Sequence, residues 1–368
     1  LKPRNNGEQG LAVNLGQLRR LSRRGLITLG LEVTGLLSKI RMFRPSNRAG
    51  IIFTLHHVRP EKEGTAFKPN AHLEITPDYL RVVIKALIDE GFEFIRLSDL
   101  PEAMGRTDRS KPFAIFTLDD GYRNNRDYAL PIFEEFNVPA TIYVARGFAE
   151  RTSIIWWEVL AELIDSQDEI AFDFGRGIEL HKTQTLQEKI CFFDLFCHSI
   201  WGQKEADAVE LLEFLARQNG LDPLGMTQEL TLSREELIEL SKHPLIDLGA
   251  HGQRHLAIGK LSAADARQEI EGSADWLDTI TGKKTSSFAF PYGSRSAATP
   301  RDFKIVQDLG IHLAVTTQPG MIHTDRIAQL SALPRVSLNG YYQQPRYAKA
   351  LASGIPFRWG VRQTLITQ

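Results

Sequence analysis

Phe113-Ala-Ile-Phe-Thr-Leu-Asp-Asp-Gly-Tyr122 runs six mostly apolar, β-favouring residues straight into two carboxylates and a glycine. A short apolar run ended by a turn signal predicts a strand buried on both faces, the kind found in parallel sheets. Asp119 and Asp120 then fall at its carboxyl end, the edge where α/β proteins bind ligands and present catalytic groups. Adjacent side chains diverge there, so one carboxylate can hold a cation while the other takes a proton. Gly121 permits the sharp exit that leaves both facing one cavity.

Upstream, Gly50–Val58 reads as a strand ending on His56 and His57, so one of this pair is expected to share the aspartates' cavity. Thr76-Pro77 is a helix start, with a cap residue and proline at the first helical position. Leu80, Val83, Ile84, Leu87 and Ile88 then repeat at helical spacing, Gly91 closes the helix, and Phe92–Leu97 reads as the next strand. Downstream, residues 125–136 read as a helix and Pro139–Val144 as a strand. This alternation predicts parallel crossover units and an α/β fold, either an open sheet or a barrel.

The rhythm breaks over about 150–230, where Trp156 and Trp157 open an all-helical excursion expected to be an insertion or lid. The two tryptophans read as core residues in preference to sugar-stacking faces. Ser233–Lys242 and Leu245–Gly249 resume the helix and strand pattern, followed by Ala250-His-Gly-Gln-Arg-His255. His251 and His255, four apart just past a strand end, can aim two imidazoles at one metal. Glycine after His251 excludes the zinc-protease motif, which needs glutamate there. With Asp120 they supply two nitrogens and one oxygen, the three-ligand layout of a catalytic zinc site. Ser287–Gly293 ends in Pro-Tyr-Gly, a rigid turn whose backbone N–H can face the cavity and stabilise an oxyanion. Ile311–Thr317 and Leu333–Leu338 bring the strand count to about eight, enough to close a barrel.

The 368 residues carry 42% hydrophobic and 24% charged side chains, the balance of a globular protein with a large core. A net charge of −1 argues against nucleic acid as a partner. Cys191 and Cys197 read as core residues, with no disulfide framework or zinc knuckle. Residues 1–48 differ from the rest: arginines and lysines punctuate leucine-rich helical spacing, which predicts a basic amphipathic helix for peripheral contact with an anionic membrane or for packing on the domain. The expected location is cytoplasmic, or peripheral at the inner membrane surface. Residues 49–340 are expected to form one α/β unit interrupted by the helical excursion, and 341–368 read as a C-terminal tail.

Thr117-Leu-Asp-Asp-Gly121, His251-x-x-x-His255 and Phe290-Pro-Tyr-Gly293, in this order, resemble the polysaccharide deacetylase family, the fourth carbohydrate esterase family with its nodulation-type deacetylase domain. The resemblance covers roughly 50–340. It implies a distorted (β/α)7–8 barrel with a helical insertion and metal-dependent removal of acetyl groups from N-acetylhexosamine units of a polysaccharide, oligosaccharide or glycoconjugate. Asp119 then matches the catalytic base and Asp120, His251 and His255 the metal ligands, with zinc expected and cobalt or nickel compatible. Tyr292 matches the backbone oxyanion donor. Two departures stand out: Ala289 occupies the place of a family arginine, and Leu330–Arg335 lacks the family's histidine acid. Both resemble the branch with a Phe-x-x-Pro-Tyr-Gly motif, in which a His-x-Val histidine sits at the site. His56 is therefore the expected acid and His323 the reserve. His57 and Arg335 are expected beside the site, with Arg335 orienting Asp119. The rival expectation is a non-catalytic, sugar-binding homologue acting in polysaccharide assembly.

Overall fold

The computed structural model describes residue 32 and residues 48–61, 64–105, 111–175, 177–202, 204–323 and 329–353. The basic stretch 1–48 and the end of the C-terminal segment lie almost wholly outside them. Among the described residues no helix is long and apolar enough to cross a membrane.

In chain order the strands are β1 (Arg48–Leu55), β2 (His57–Val58), β3 (Glu74–Ile75), β4 (Glu93–Phe94), β5 (Phe113–Leu118), β6 (Ala140–Val144), β7 (Glu169–Phe172), β8 (Glu179–Lys182), β9 (Ile246–Ala250), β10 (Ser287–Ala289), β11 (Leu313–Val315), β12 (Ile322–His323) and β13 (Val336–Ser337). The main sheet runs β11-β10-β9-β6-β5-β1, with β13 parallel to β1. These seven parallel strands curl into a half-barrel of the distorted (β/α) type. An isolated parallel bridge from Val315 to Leu333 brings the chain leading into β13 back against β11. All six residues of β5 are buried, as a strand covered on both faces must be.

Register places the chemistry. β1 and β5 pair in parallel from Gly50↔Phe113 to Leu55↔Leu118, and the Asp119 N–H donates to the Leu55 carbonyl at 2.9 Å. β6 and β9 pair up to Val144↔Ala250, and the His251 N–H continues the ladder to the Val144 carbonyl. The first residues beyond β1, β5, β9 and β10 therefore share one sheet edge.

Helices pack behind this wall through the faces their sequence dictates. Thr76 caps Pro77–Asp89 by accepting from the Tyr79 N–H, and that helix buries Leu80, Val83, Ile84 and Leu87. Ser262 caps Ala263–Thr281 through the Asp265 N–H. Several expectations are corrected. Phe92–Leu97 gives only the two-residue edge strand β4 before the chain turns into the short helix at Leu97–Asp99, its pairing confined to the start of β5. The excursion at 150–230 is not all helical, because β7 and β8 form an antiparallel hairpin. Its β7 side chains alternate exposed and buried, a period-two pattern hidden between two helical runs. Among the described residues Cys191 and Cys197 form no disulfide, and both are only half-buried. Within the C-terminal segment, Pro345–Ser353 is a helix with Tyr347 and Ala350 buried.

Candidate active site

The sheet edge gathers Asp119, Asp120, His251 and His255, each buried to 6% exposure or less. Asp120 Oδ1 lies 3.4 Å from His251 Nε2 and 3.3 Å from His255 Nε2. One ligand atom from each of these three residues falls within 4.8 Å of the others. The turns that bring them together are strained: Asp120 (φ +73°), His255 (φ +58°) and Tyr292 (φ +60°) all adopt left-handed backbone conformations that L-residues avoid. Such conformations cost about 1–3 kcal/mol each and cluster at functional sites. At Gly293 a side chain is excluded outright, since a Cβ would lie 2.3 Å from the Thr317 nitrogen.

The residues present fit a divalent cation. Both Asp120 carboxylate oxygens and His255 Nδ1 are buried without a hydrogen-bond partner. Buried polar atoms are rarely left so unless something absent from the protein completes them. His251 Nδ1 donates to the Ala289 carbonyl at 2.7 Å, which fixes the tautomer and leaves Nε2 bare beside Asp120. Burial pushes the Asp120 carboxyl up, but the His251 and His255 imidazoles beside it outweigh that and hold the group well below its ordinary range. Burial also depresses His251, and Asp120 more than offsets that, leaving the imidazole above its usual value.

Asp119 stays outside this triad because Arg335 holds it. Nη1 donates to Oδ1 at 2.7 Å and Nη2 to Oδ2 at 2.6 Å, a two-pronged charge-assisted pair in which both side chains are buried. The Arg335 fork also donates to Thr117 Oγ1 at 2.9 Å, and its Nε donates to the Thr316 carbonyl at 2.9 Å. Burial raises the Asp119 carboxyl, yet the Arg335 and His251 charges leave it below the normal carboxylate value. Ala289 carries no guanidinium, and the one that meets Asp119 comes from Arg335, immediately before β13.

His56 is half-buried just beyond β1, and Asp120, Asp119, Arg335 and His251 all act on its charge. Burial pushes its imidazole below the usual value, against the pull of both carboxylates. His57 turns to the other face, as alternation along a strand requires. Its Nδ1 accepts from Asn124 Nδ2 at 2.7 Å, its Nε2 lies 3.7 Å from Glu158 Oε1, and its ring packs against Tyr122. His323 is not brought to the site. It lies on β12 opposite Arg48, at the amino end of β1, the whole length of that strand from Asp119.

Sequence reasoning missed the residues that brace this edge. Asn125 Nδ2 donates to the His56 carbonyl at 2.7 Å and Asn124 Oδ1 accepts from the Val58 N–H at 3.0 Å, so two asparagines after the Asp-Asp-Gly turn clamp the first strand's end. They start a turn of π-helix, Asn125–Ala129, an irregularity often found at functional sites. Glu269, buried on Ala263–Thr281, accepts the Gln253 and Arg254 N–H groups at 2.9 Å each and so orders the loop between the two histidines. The asparagine doublet was visible beside the motif, whereas nothing local marks Glu269. Trp156 and Trp157 are core residues as read, but their indole N–H groups donate to Tyr292 Oη and Tyr122 Oη, so they also wall the site.

The family model for polysaccharide deacetylases matches residues 106–173 and 205–314. The unmatched stretch between them contains β8 and the helix Leu186–Gly202. Among solved structures, the fold is similar to Streptococcus pyogenes deacetylase PplD in complex with acetate, at 17% identity and a TM-score of 0.53, covering 84% of this chain and 99% of that one. It is also similar to IcaB from Ammonifex degensii, at 16% identity and a TM-score of 0.51, covering 82% and 97%. No curated protein matches the chain.

Proposed function

This chain belongs to the polysaccharide deacetylase family, and we propose that it is a metal-dependent hydrolase that removes acetyl groups from N-acetylhexosamine units of a glycan or glycoconjugate. The observation that carries this reading is the buried Asp120, His251 and His255 triad beside a second aspartate that arginine keeps apart.

Asp120, His251 and His255 would hold the cation, and zinc, cobalt and nickel all accept this nitrogen and oxygen set. A cation bound there would supply Lewis-acid polarisation of the acetyl carbonyl and a more acidic water. Asp119, ionised and aimed by Arg335, takes the proton from the attacking water. The Tyr292 N–H faces the oxygen that gains negative charge; a donor of this kind is typically worth about 3–4 kcal/mol. His56 gives its proton to the departing amine as the carbon–nitrogen bond breaks, leaving acetate and the free amino sugar. Burial lowers its pKa, and the charges of Asp120 and Asp119 work against that in favour of the protonated, proton-giving form. The absent family arginine would have favoured a sugar-binding homologue, but Asp119 keeps a guanidinium partner in Arg335.

Acetate release from acetylated glucosamine oligomers, measured with added zinc, cobalt or nickel and again with chelator, tests the reading. Release that chelator abolishes is expected. Oligomer binding without any release under all three metals would sink the enzyme reading in favour of the sugar binder.

A further inference from the structure

The Tyr292 hydroxyl is anchored by the inserted region, while the barrel carries its backbone. Its Oη accepts from Trp156 Nε1–H at 2.8 Å and donates to a Glu205 carboxylate oxygen, Oε1. The other oxygen of Glu205, Oε2, accepts the Ala257 N–H at 2.8 Å, two residues past His255. The Tyr292 ring meets the Trp201 ring edge-on at 5.0 Å on one side and the His255 ring at 4.9 Å on another. Glu205 is the first residue of Glu205–Gln218, Trp201 lies in Leu186–Gly202 and Trp156 begins Trp156–Ser166, so all three anchors come from the excursion at 150–230.

The turn needs such an anchor. Tyr292 sits at φ +60°, a conformation that surroundings must over-determine if it is to persist. On the barrel side Thr317 holds the backbone, its Oγ1 donating to the Tyr292 carbonyl at 2.5 Å and its N–H to the Gly293 carbonyl at 3.1 Å, which leaves the side chain to be held from the inserted region. We infer that Glu205 is a positioning residue: its carboxylate holds the Tyr292 turn in register and ties that turn to the histidine loop through Ala257. The inserted helices thereby set the rate of the reaction through the oxyanion donor, without touching the reacting atoms. The inference rests on the deacetylase reading for its effect on rate, and on the geometry alone for its effect on the turn.

Tyr292→Phe, Glu205→Ala and the double variant test it, with Leu211→Ser, an exposed position on the same helix, as control. In the zinc-loaded full chain each single variant is expected to lower kcat about 10- to 100-fold with KM within about twofold, part of the loss seen when such a donor is removed. The double variant should lose no more than the worse single, because the two residues act as one unit. Amide hydrogen exchange over residues 288–294 should rise at least about tenfold in Glu205→Ala and stay unchanged in Leu211→Ser. Wild-type exchange in Glu205→Ala overturns the inference whatever the activity. So does a lowered Tm with unchanged kcat of the folded fraction, or single losses that multiply in the double variant. Failure of the wild-type protein to release acetate, with exchange raised as expected, would instead defeat the deacetylase reading.

Discussion

Replacing Arg335 with methionine removes a buried guanidinium from a buried carboxylate while keeping most of the side chain's volume. Asp119 then has Thr54 Oγ1 at 3.4 Å as its remaining hydrogen-bond donor, with burial unopposed by the guanidinium. Breaking one side of a buried pair costs about 3–5 kcal/mol, because the surviving charge is left without a partner. At roughly 2–4 °C per kcal/mol for a domain of this class, Tm should fall by about 6 °C or more. The sign for activity follows from the same groups. Arg335 holds the Asp119 pKa down, so in Arg335→Met it rises and the acid limb of kcat/KM moves to higher pH. Adding Asp119→Asn should restore much of the lost stability, since an amide carries no charge to strand, and should restore no turnover. Calorimetry and pH-resolved acetate release read both effects. A single variant with wild-type Tm and an unmoved acid limb, or a double variant no more stable than the single, would refute the argument.

Asp119→Asn alone is expected to keep bound metal and lose turnover, whereas Asp120→Ala and His251→Ala lose both; metal content after dialysis separates the two outcomes. His56→Gln should slow amide hydrolysis by about 100-fold or more while barely affecting an aryl acetate, whose leaving group departs without a proton; equal losses on both substrates would remove His56 from the acid role. Burial raises the Glu158 carboxyl, but His57, Arg59 and Asn70 hold it below its ordinary value of 4.5. Its contribution to stability is therefore present above that pH and lost as pH falls through the folded-state value. Glu158→Gln should be less stable than wild type near neutrality, and the gap should close as pH falls through the folded-state value, as read from denaturant midpoints across an acid pH series.

The chemistry was legible where it is local. An apolar strand running into Asp119 and Asp120, two histidines after another strand and a Pro-Tyr-Gly turn each mark a sheet edge, and parallel register then has only one way to align them. What could not be read depends on reach across the chain. Arg335 meets Asp119 from 216 residues away, a pairing expected only alongside the family resemblance, since no spacing rule links a guanidinium to a carboxylate at that distance. Glu205 and Glu269 look like solvated helix residues until the loops they brace are seen packed on them. His323 failed for the converse reason: histidine chemistry suggested a role, but its strand runs against β1 and leaves it at the wrong end. The β7–β8 hairpin escaped because four-residue strands offer too little periodicity to stand out among helices.

The partner that orients His251 is a main-chain oxygen, the carbonyl of Ala289. Every amino acid carries that atom, so no exchange of residue type at 289 can delete the contact; only a shift of the strand itself can. Ligand geometry is thus insulated from point substitution at the very position where the family resemblance would place an arginine. Side-chain choice at 289 was left answerable only to the space available in a fully enclosed site.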